Sequence, residues 1–439
     1  MKKFQLLFLL SMLFLVPGMA YALTLEEAIA IGKNRSLKQQ EPKIDRQKVN
    51  GQIKEAWSNA LPQLDGSVAY QRSWKQNVMF VNMGGETQQF KMQQANSATG
   101  NATLNQPIYT FGRVGSGLKA AYAARRANDH QSANTERLIE LEVMKRYWSV
   151  LLLRDVVAVR QNGLAVSDSA LQKVKRLRDV GMLSDYDVLR AEVQVSNQKP
   201  QLQQAQNALR LSELSLFEFL GVPMDTAMSI DGNLAEYGIS IPENASMQNV
   251  LKRDDLEALR DLTTMSRNVY NIYNNMHWPV IGAQVSYSWQ WSDDYWHLKP
   301  TNNASSVAGG IAIQIPLWTS GKNSGVAQQH KADWKKMELQ LRQAERGARL
   351  QYESALRNYQ AAVETEAGAT IAVQQAEQAR TIAQTKLAQG QLTPLEMDAA
   401  QLDELVAKVS LAQARFDRLV AAAETRMALG DKPYRTLAK

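Results

Sequence analysis

The segment PIYTFGR, residues 107–113, returns as PLWTSGK at 316–322, an offset of 209 residues. Further along, Gly181-Met182-Leu183-Ser184 answers Gly390-Gln391-Leu392-Thr393, Asp187 answers Glu396, and Leu220-Gly221 answers Leu429-Gly430, all at the same offset. Spacing that is conserved between the halves over such a length means that each half carries an element of one fixed length. A tandem repeat therefore fixes the architecture before any single motif does. Upstream, Pro62 and Tyr70 correspond to Pro279 and Tyr287 at an offset of 217. The change of offset falls before the anchor prolines Pro107 and Pro316, where a loop tolerates insertion. Each half is expected to read helix, strand, loop, strand, long helix, shorter returning helix. The first repeat spans 23–221 and the second 247–430. An irregular linker, 222–246, holds Pro223, Gly232, Gly238 and Pro242, and a short tail follows at 431–439.

The strand positions alternate with period two. Leu64, Gly66, Val68, Tyr70 and Trp74 share one face against Asp65, Ser67, Ala69, Gln71 and Ser73, with Arg72 as the exception. In the second half Ile281, Ala283, Val285, Tyr287, Trp289 and Trp291 oppose Gly282, Gln284, Ser286, Ser288 and Gln290. The other two strands alternate likewise: Ala98, Ala102 and Leu104 against Ser97, Thr99, Asn101, Thr103 and Asn105, and Val307, Ile311, Ile313 and Ile315 against Ser306, Ala312 and Gln314. One such strand fits a half-buried soluble sheet. Four of them, with aromatics gathered toward one end and a second face almost free of long charges, describe membrane-spanning strands with an aromatic girdle and a wet lumen. Residues 75–96 and 292–304 are expected to be the loops beyond the membrane. Four strands cannot close a barrel, and lipid does not tolerate an open sheet edge. Several chains must therefore share one barrel.

No proline lies between Gly112 and Gly181 or between Gly321 and Gly390, and both stretches are rich in helix-forming Ala, Gln, Glu, Lys, Arg and Leu. Each predicts a continuous helix roughly 100 Å long at ~1.5 Å per residue. Residues 138–159 are densely apolar, with Leu141, Met144, Trp148, Leu152 and Val156, whereas 361–388 are dominated by Ala and Gln, which suits packing around a solvated bore. Gly181 and Gly390 are placed to cap the rods. Ser184 and Thr393 then start the returning helices, with Asp187 and Glu396 at the capping-box position. Thr24 and Glu27 form a similar box. Pro200, in the first returning helix only, is expected to kink or interrupt it.

Met1-Lys2-Lys3, the apolar run 6–16, Pro17-Gly18 and Ala20-Tyr21-Ala22 have the layout of a secretory signal peptide, with cleavage expected after Ala22. No later stretch is long enough for a spanning helix. With no cysteine in the chain, neither disulfides nor an acylated N-terminal cysteine can anchor it. The net charge of +7 includes Lys2 and Lys3 and is modest for the length, so nucleic acid is not indicated as a partner.

The strand pairs, the rods, the returning helices and the duplication together resemble the TolC family of outer-membrane efflux proteins. The resemblance is carried by LTLEEAIAIGKNRSL after the leader, NQPIYTFGR and QIPLWTSGK before the rods, VGMLSDYDVLRA and QGQLTPLEMDAA at the hairpins, and the terminal Leu-Gly pairs. It covers essentially the whole mature chain and implies an α+β membrane protein of the bacterial outer membrane. Three identical chains would share a 12-stranded β-barrel, four strands each, continued by a periplasmic α-helical barrel. In that frame Pro107, Gly112, Pro316 and Gly321 anchor strand to helix. The tips Gly181, Met182, Leu183, Ser184, Gly390, Gln391, Leu392 and Thr393 dock a periplasmic adaptor driven by an inner-membrane pump. The resemblance also implies an acidic ring at the lower end. Asp187 and Glu396 match two of its positions. A further one falls on Ala399, with Asp398 beside it, and an often basic position falls on Leu392. Carboxylates in a narrow throat concentrate field and favour cations; helix capping alone is the plainer role for Asp187 and Glu396.

Other functions find little footing. His130, His277, His297 and His330 fall on unrelated elements, no metal-ligand spacing occurs, and there is neither a nucleophile elbow nor a phosphate loop. No enzyme activity, cofactor or metal is expected. The alternative to a duct is a periplasmic coiled-coil scaffold without channel activity, which would be soluble without membrane extraction.

Overall fold

The computed structural model describes residues 21–223, 228–242, 246–297, 299–389 and 391–434. The expected leader lies outside these apart from Tyr21 and Ala22, and so does Gly390. Strand β1 (Tyr21–Leu23) leads into α1 (Leu25–Arg35) and α2 (Gln40–Ser58), followed by β2 (Gln63–Arg72), β3 (Val78–Met83), β4 (Glu86–Lys91) and β5 (Asn96–Tyr109). Next come the long helix α3 (Arg113–Asp179), its return α4 (Asp185–Leu220) and the short β6 (Met228–Ile230). The second half holds α5 (Met247–Val250), α6 (Asp254–Asn274), β7 (Val280–Asp293), β8 (Asn303–Gln314), α7 (Lys322–Ala388) and α8 (Pro394–Ala428). Helices α3 and α7 are both 67 residues long, as the common offset requires.

Two compact units are present. One comprises 44–129 and 257–342 and contains a four-stranded antiparallel sheet in the order β2-β5-β7-β8. The central pairing, β5 with β7, joins strands from different repeats, so β2 and β8 are left as edges. The stretch expected as a plain loop after β2 instead carries the β3–β4 hairpin, turning at Gly84-Gly85. Its alternation is too short and too irregular to stand out from the sequence. Strand β2 ends at Arg72, so Trp74 falls outside it.

The other unit comprises residues up to 43, 130–256 and 343 onward, and is built around the densely apolar part of α3. Tyr147, Trp148, Met144 and Leu151 are fully buried there with Leu216 and Leu220 of α4 and Leu419 of α8. The linker is stitched onto this core. Tyr147 donates its hydroxyl to the carbonyl oxygens of Leu23 (2.9 Å) and Asp231 (2.6 Å), and Arg154 donates to those of Ile230 (2.7 Å) and Gly232. Burial pushes the Tyr147 hydroxyl pKa far above its ordinary value, with Tyr237 and Asp231 adding to the shift. Strand β1 pairs in parallel with β6 from Tyr21↔Met228 to Leu23↔Ile230, so the expected processing point lies within a paired strand. The expected box at Thr24 is formed with Glu27. Pro200 does not interrupt α4, which runs unbroken through it. A single missing amide hydrogen bond is outweighed by the packing on either side.

Candidate channel lumen and aperture

Sheet register sorts the strand residues into two faces. Leu64, Leu104, Val285 and Gly309 lie side by side on one, followed by Gly66, Ala102, Tyr287 and Val307, then by Val68, Gly100, Trp289 and Ser305. This face is apolar yet open: Val68 is 85% exposed, Val307 73% and Ile311 72%. An exposed apolar surface of this extent needs lipid or a partner against it. The opposite face carries Asp65, Thr103, Ser286 and Ala308 in one row and Ser67, Asn101, Ser288 and Ser306 in the next, the Ser288 and Ser306 hydroxyls 2.8 Å apart. It offers hydroxyls and amides that water can meet. That is the division a membrane barrel requires.

The aromatic girdle is narrower than the alternation implies. Tyr70 and Tyr287 are about half exposed, but Trp291 is only 2% exposed. Trp296, which the alternation does not single out, sits with its ring centroid 5.5 Å from Trp291 and 4.9 Å from Tyr70, and Trp291 donates its indole N–H to His297 O at 3.1 Å. Asn96, also buried, accepts from the Tyr70 hydroxyl (2.9 Å) and donates to Asp293 O (3.1 Å). The end of the sheet is thus locked by loop residues that strand periodicity cannot reveal.

Strand passes into rod through one turn used twice. Arg113 N donates to Thr110 O at 3.1 Å, and Lys322 N to Thr319 O at 2.9 Å. Phe111 and Gly112 have φ of 48° and 82°, Ser320 and Gly321 of 49° and 80°. Two successive left-handed residues reverse the chain tightly, which explains why glycine recurs at this spot. Pro107 lies in β5 at a register shift between Pro107 and Tyr109, and Pro316 follows β8.

At the tip of the first hairpin, Gly181 has φ 76°; its N–H reaches Arg178 O at 2.8 Å, and Met182 N–H reaches Leu177 O at 2.9 Å. This pair of bonds satisfies carbonyls that the end of α3 leaves open. Ser184 caps α4. Asp187 closes the box, its carboxylate accepting from Ser184 N (2.9 Å) and Oγ (2.7 Å). The second tip repeats this chemistry: Gln391 N donates to Lys386 O at 2.9 Å, and Glu396 accepts from Thr393 N (2.9 Å) and Oγ1 (2.8 Å). The hydrogen bonds from Ser184 lower the pKa of Asp187, and those from Thr393 lower that of Glu396, so both stay ionised. Asp398 differs. It is partly buried, burial raises its pKa, and the Arg190 guanidinium opposes that rise. Leu183 is partly buried, whereas Met182 is 72% exposed and Tyr186 70%, so the first tip presents apolar side chains to its surroundings.

Residues 29–222 and 251–431 match the outer membrane efflux protein family. The chain belongs to that family. It is 23% identical over 325 residues to the outer membrane efflux protein BepC of Brucella suis biovar 1 (strain 1330), covering 72% of this chain and 69% of BepC. Its fold is similar to that of the outer membrane protein VceC of Vibrio cholerae, with a TM-score of 0.78 at 18% identity, over 93% of this chain and 97% of VceC. It is also similar to the open state of the Neisseria gonorrhoeae outer membrane channel MtrE, with a TM-score of 0.77 at 17% identity, over 94% and 91% of the two chains. This chain is thus an efflux protein of the outer membrane. Among the described residues no helix is long and apolar enough to cross a membrane, and no group of three or more His, Asp and Glu could hold a metal ion.

Proposed function

We propose that this outer membrane efflux protein works as a homotrimer, three four-stranded sheets closing one 12-stranded barrel above a helical tunnel through the periplasm. The observation that carries this reading is the sheet, which has two unpaired edges, β2 and β8, and an exposed apolar face. Neither edge can face lipid unpaired. A leader of residues 1–22 directs export. The tips around Gly181 to Ser184 and Gly390 to Thr393 dock a periplasmic adaptor that links the duct to an inner-membrane pump. Asp187 and Glu396, with Asp398 nearby, form the acidic aperture; Pro107, Gly112, Pro316 and Gly321 fix the strand-to-rod turns.

The two capping acids retain open lone pairs while they cap, so capping and lining the aperture are compatible roles. The test combines crosslinking in mild detergent with planar-bilayer recording of the purified oligomer. A trimer that conducts is expected. In Asp187→Asn with Glu396→Gln, block by divalent cations should weaken while assembly persists, because the amides keep an oxygen acceptor for the cap. A conducting monomer would overturn the assembly. Unchanged divalent block would reduce both acids to capping residues.

A further inference from the structure

The polar face of the sheet carries one ionisable side chain. Register places Gln63, Asp65, Ser67, Ala69 and Gln71 of β2 on that face, with Ser97, Thr99, Asn101, Thr103 and Asn105 of β5. Strand β7 adds Gln284, Ser286, Ser288, Gln290 and Ser292, and β8 adds Ala304, Ser306, Ala308, Gly310, Ala312 and Gln314. Among all of these only Asp65 is charged. The one basic residue of the four strands, Arg72, has the opposite parity and lies at the far end of β2 on the apolar face. Asp65 is exposed, and its row runs through Thr103 and Ser286, near the middle of β5 and β7.

We propose that Asp65 is the residue that sets the charge preference of the barrel lumen, favouring cations and cationic solutes in transit over anions. The inference rests on the trimeric duct. Threefold symmetry places three copies of any residue at one height, so three carboxylates ring the lumen at mid-sheet. Hydroxyl, amide and small apolar side chains share that face with Asp65, and among the described residues of the four strands no cation lies on it. A ring of carboxylates in a pore bounded by low-dielectric walls raises the local cation concentration and depletes anions. Asp65 holds no ion in place; it biases what passes. This selectivity is separate from that of Asp187 and Glu396, which lie on the helical tips.

The chain has no cysteine, so Asp65→Cys introduces a single thiol. Reversal potentials would be recorded across a salt gradient for the parent, for Asp65→Asn and for Asp65→Cys, the last before and after labelling with sulfonatoethyl or trimethylammonium-ethyl methanethiosulfonate. The same set would be repeated in the Asp187→Asn, Glu396→Gln background to remove the aperture's contribution. Both substitutions should lose cation preference. The sulfonate label should restore it and the ammonium label should invert it. The shift should be largest in dilute salt, because the screening length falls from about 30 Å at 0.01 M to about 3 Å at 1 M. Ser286→Cys, two strands along the same row, should react with both reagents, and Val285→Cys, on the apolar face, with neither. A labelled, conducting channel whose reversal potential ignores the charge at this position would overturn the proposal. If the parent oligomer does not conduct at all, the duct reading fails instead. If Val285→Cys reacts and Ser286→Cys does not, the faces are reversed and the proposal falls with them.

Discussion

In the first helical hairpin α3 and α4 meet along an apolar seam in which Leu171, Val188 and Val195 are buried against Leu164, Val174 and Ala191, with Lys175 and Glu192 paired at 2.8 Å beside it. The second hairpin, α7 with α8, is crossed by a ladder of ion pairs. Glu366 meets Arg415 (3.7 Å) and Arg418, Glu377 meets Lys408 (2.9 Å), and Glu404 meets both Arg380 and Lys408. The two hairpins come from one repeat with equal rods and equivalent caps. What differs is how each is held together. An apolar seam is not screened by salt and is driven by the release of apolar surface from water, whereas partly exposed ion pairs are screened by salt and bring little net stability each. One plan can therefore yield a firm hairpin and one whose closure responds to its ionic surroundings.

The largest effect should come from the seam. Leu171→Ala removes buried methyl groups and should cost about 3 kcal/mol of local stability, read as faster hydrogen exchange at the first tip and not at the second. Equal acceleration in both hairpins would mean that the seam is not the element that distinguishes them.

A smaller effect is expected from the ladder. Glu404 is 13% exposed at its side chain and faces two cations. Glu404→Gln should cost about 1–2 kcal/mol, since an acceptor remains but the charge does not. Exchange protection of the parent's second hairpin should fall when salt is raised to 1 M, and in this variant it should fall much less. Salt sensitivity that survives undiminished would assign the ionic hold to the Glu366 and Glu377 pairs instead.

The subtlest contrast lies in acid. The pKa values of Asp187 and Glu396 are lowered in the folded chain, so each contributes stability that is present above its unfolded pKa, about 4, and lost as pH falls through the lower folded value. Asp398 has the opposite sign. Burial raises its pKa, so its ionised form is penalised at neutral pH, and that penalty is relieved as pH drops from the raised value toward the unfolded one. Only the second tip has this offset. Acidification below pH 4 should therefore open the first tip more than the second, measured as exchange at the Asp187 and Glu396 amides corrected for intrinsic rate. The reverse order would show that Asp398 does not act on its tip.

The sequence by itself determined what local chemistry controls. The shared 209-residue offset required two equal rods; Ser184 with Asp187 and Thr393 with Glu396 specified two helix starts; period-two alternation marked four strands and their faces. The caps and the alternation are local, and the offset is read by comparing the two halves directly, so all three survive without knowledge of the fold. Tertiary structure decided what depends on distant partners. It paired β5 with β7 across the repeats and left β2 and β8 as edges. It placed Trp296 beside Trp291, carried α4 through Pro200, and left Asp398 partly buried where Glu396 is exposed. It also gave the first hairpin a seam of leucine and valine and laid a ladder of ion pairs across the second. Alternation says which side chains share a face, but which strand or helix lies opposite is set by long-range packing, whose energy no short window of sequence contains.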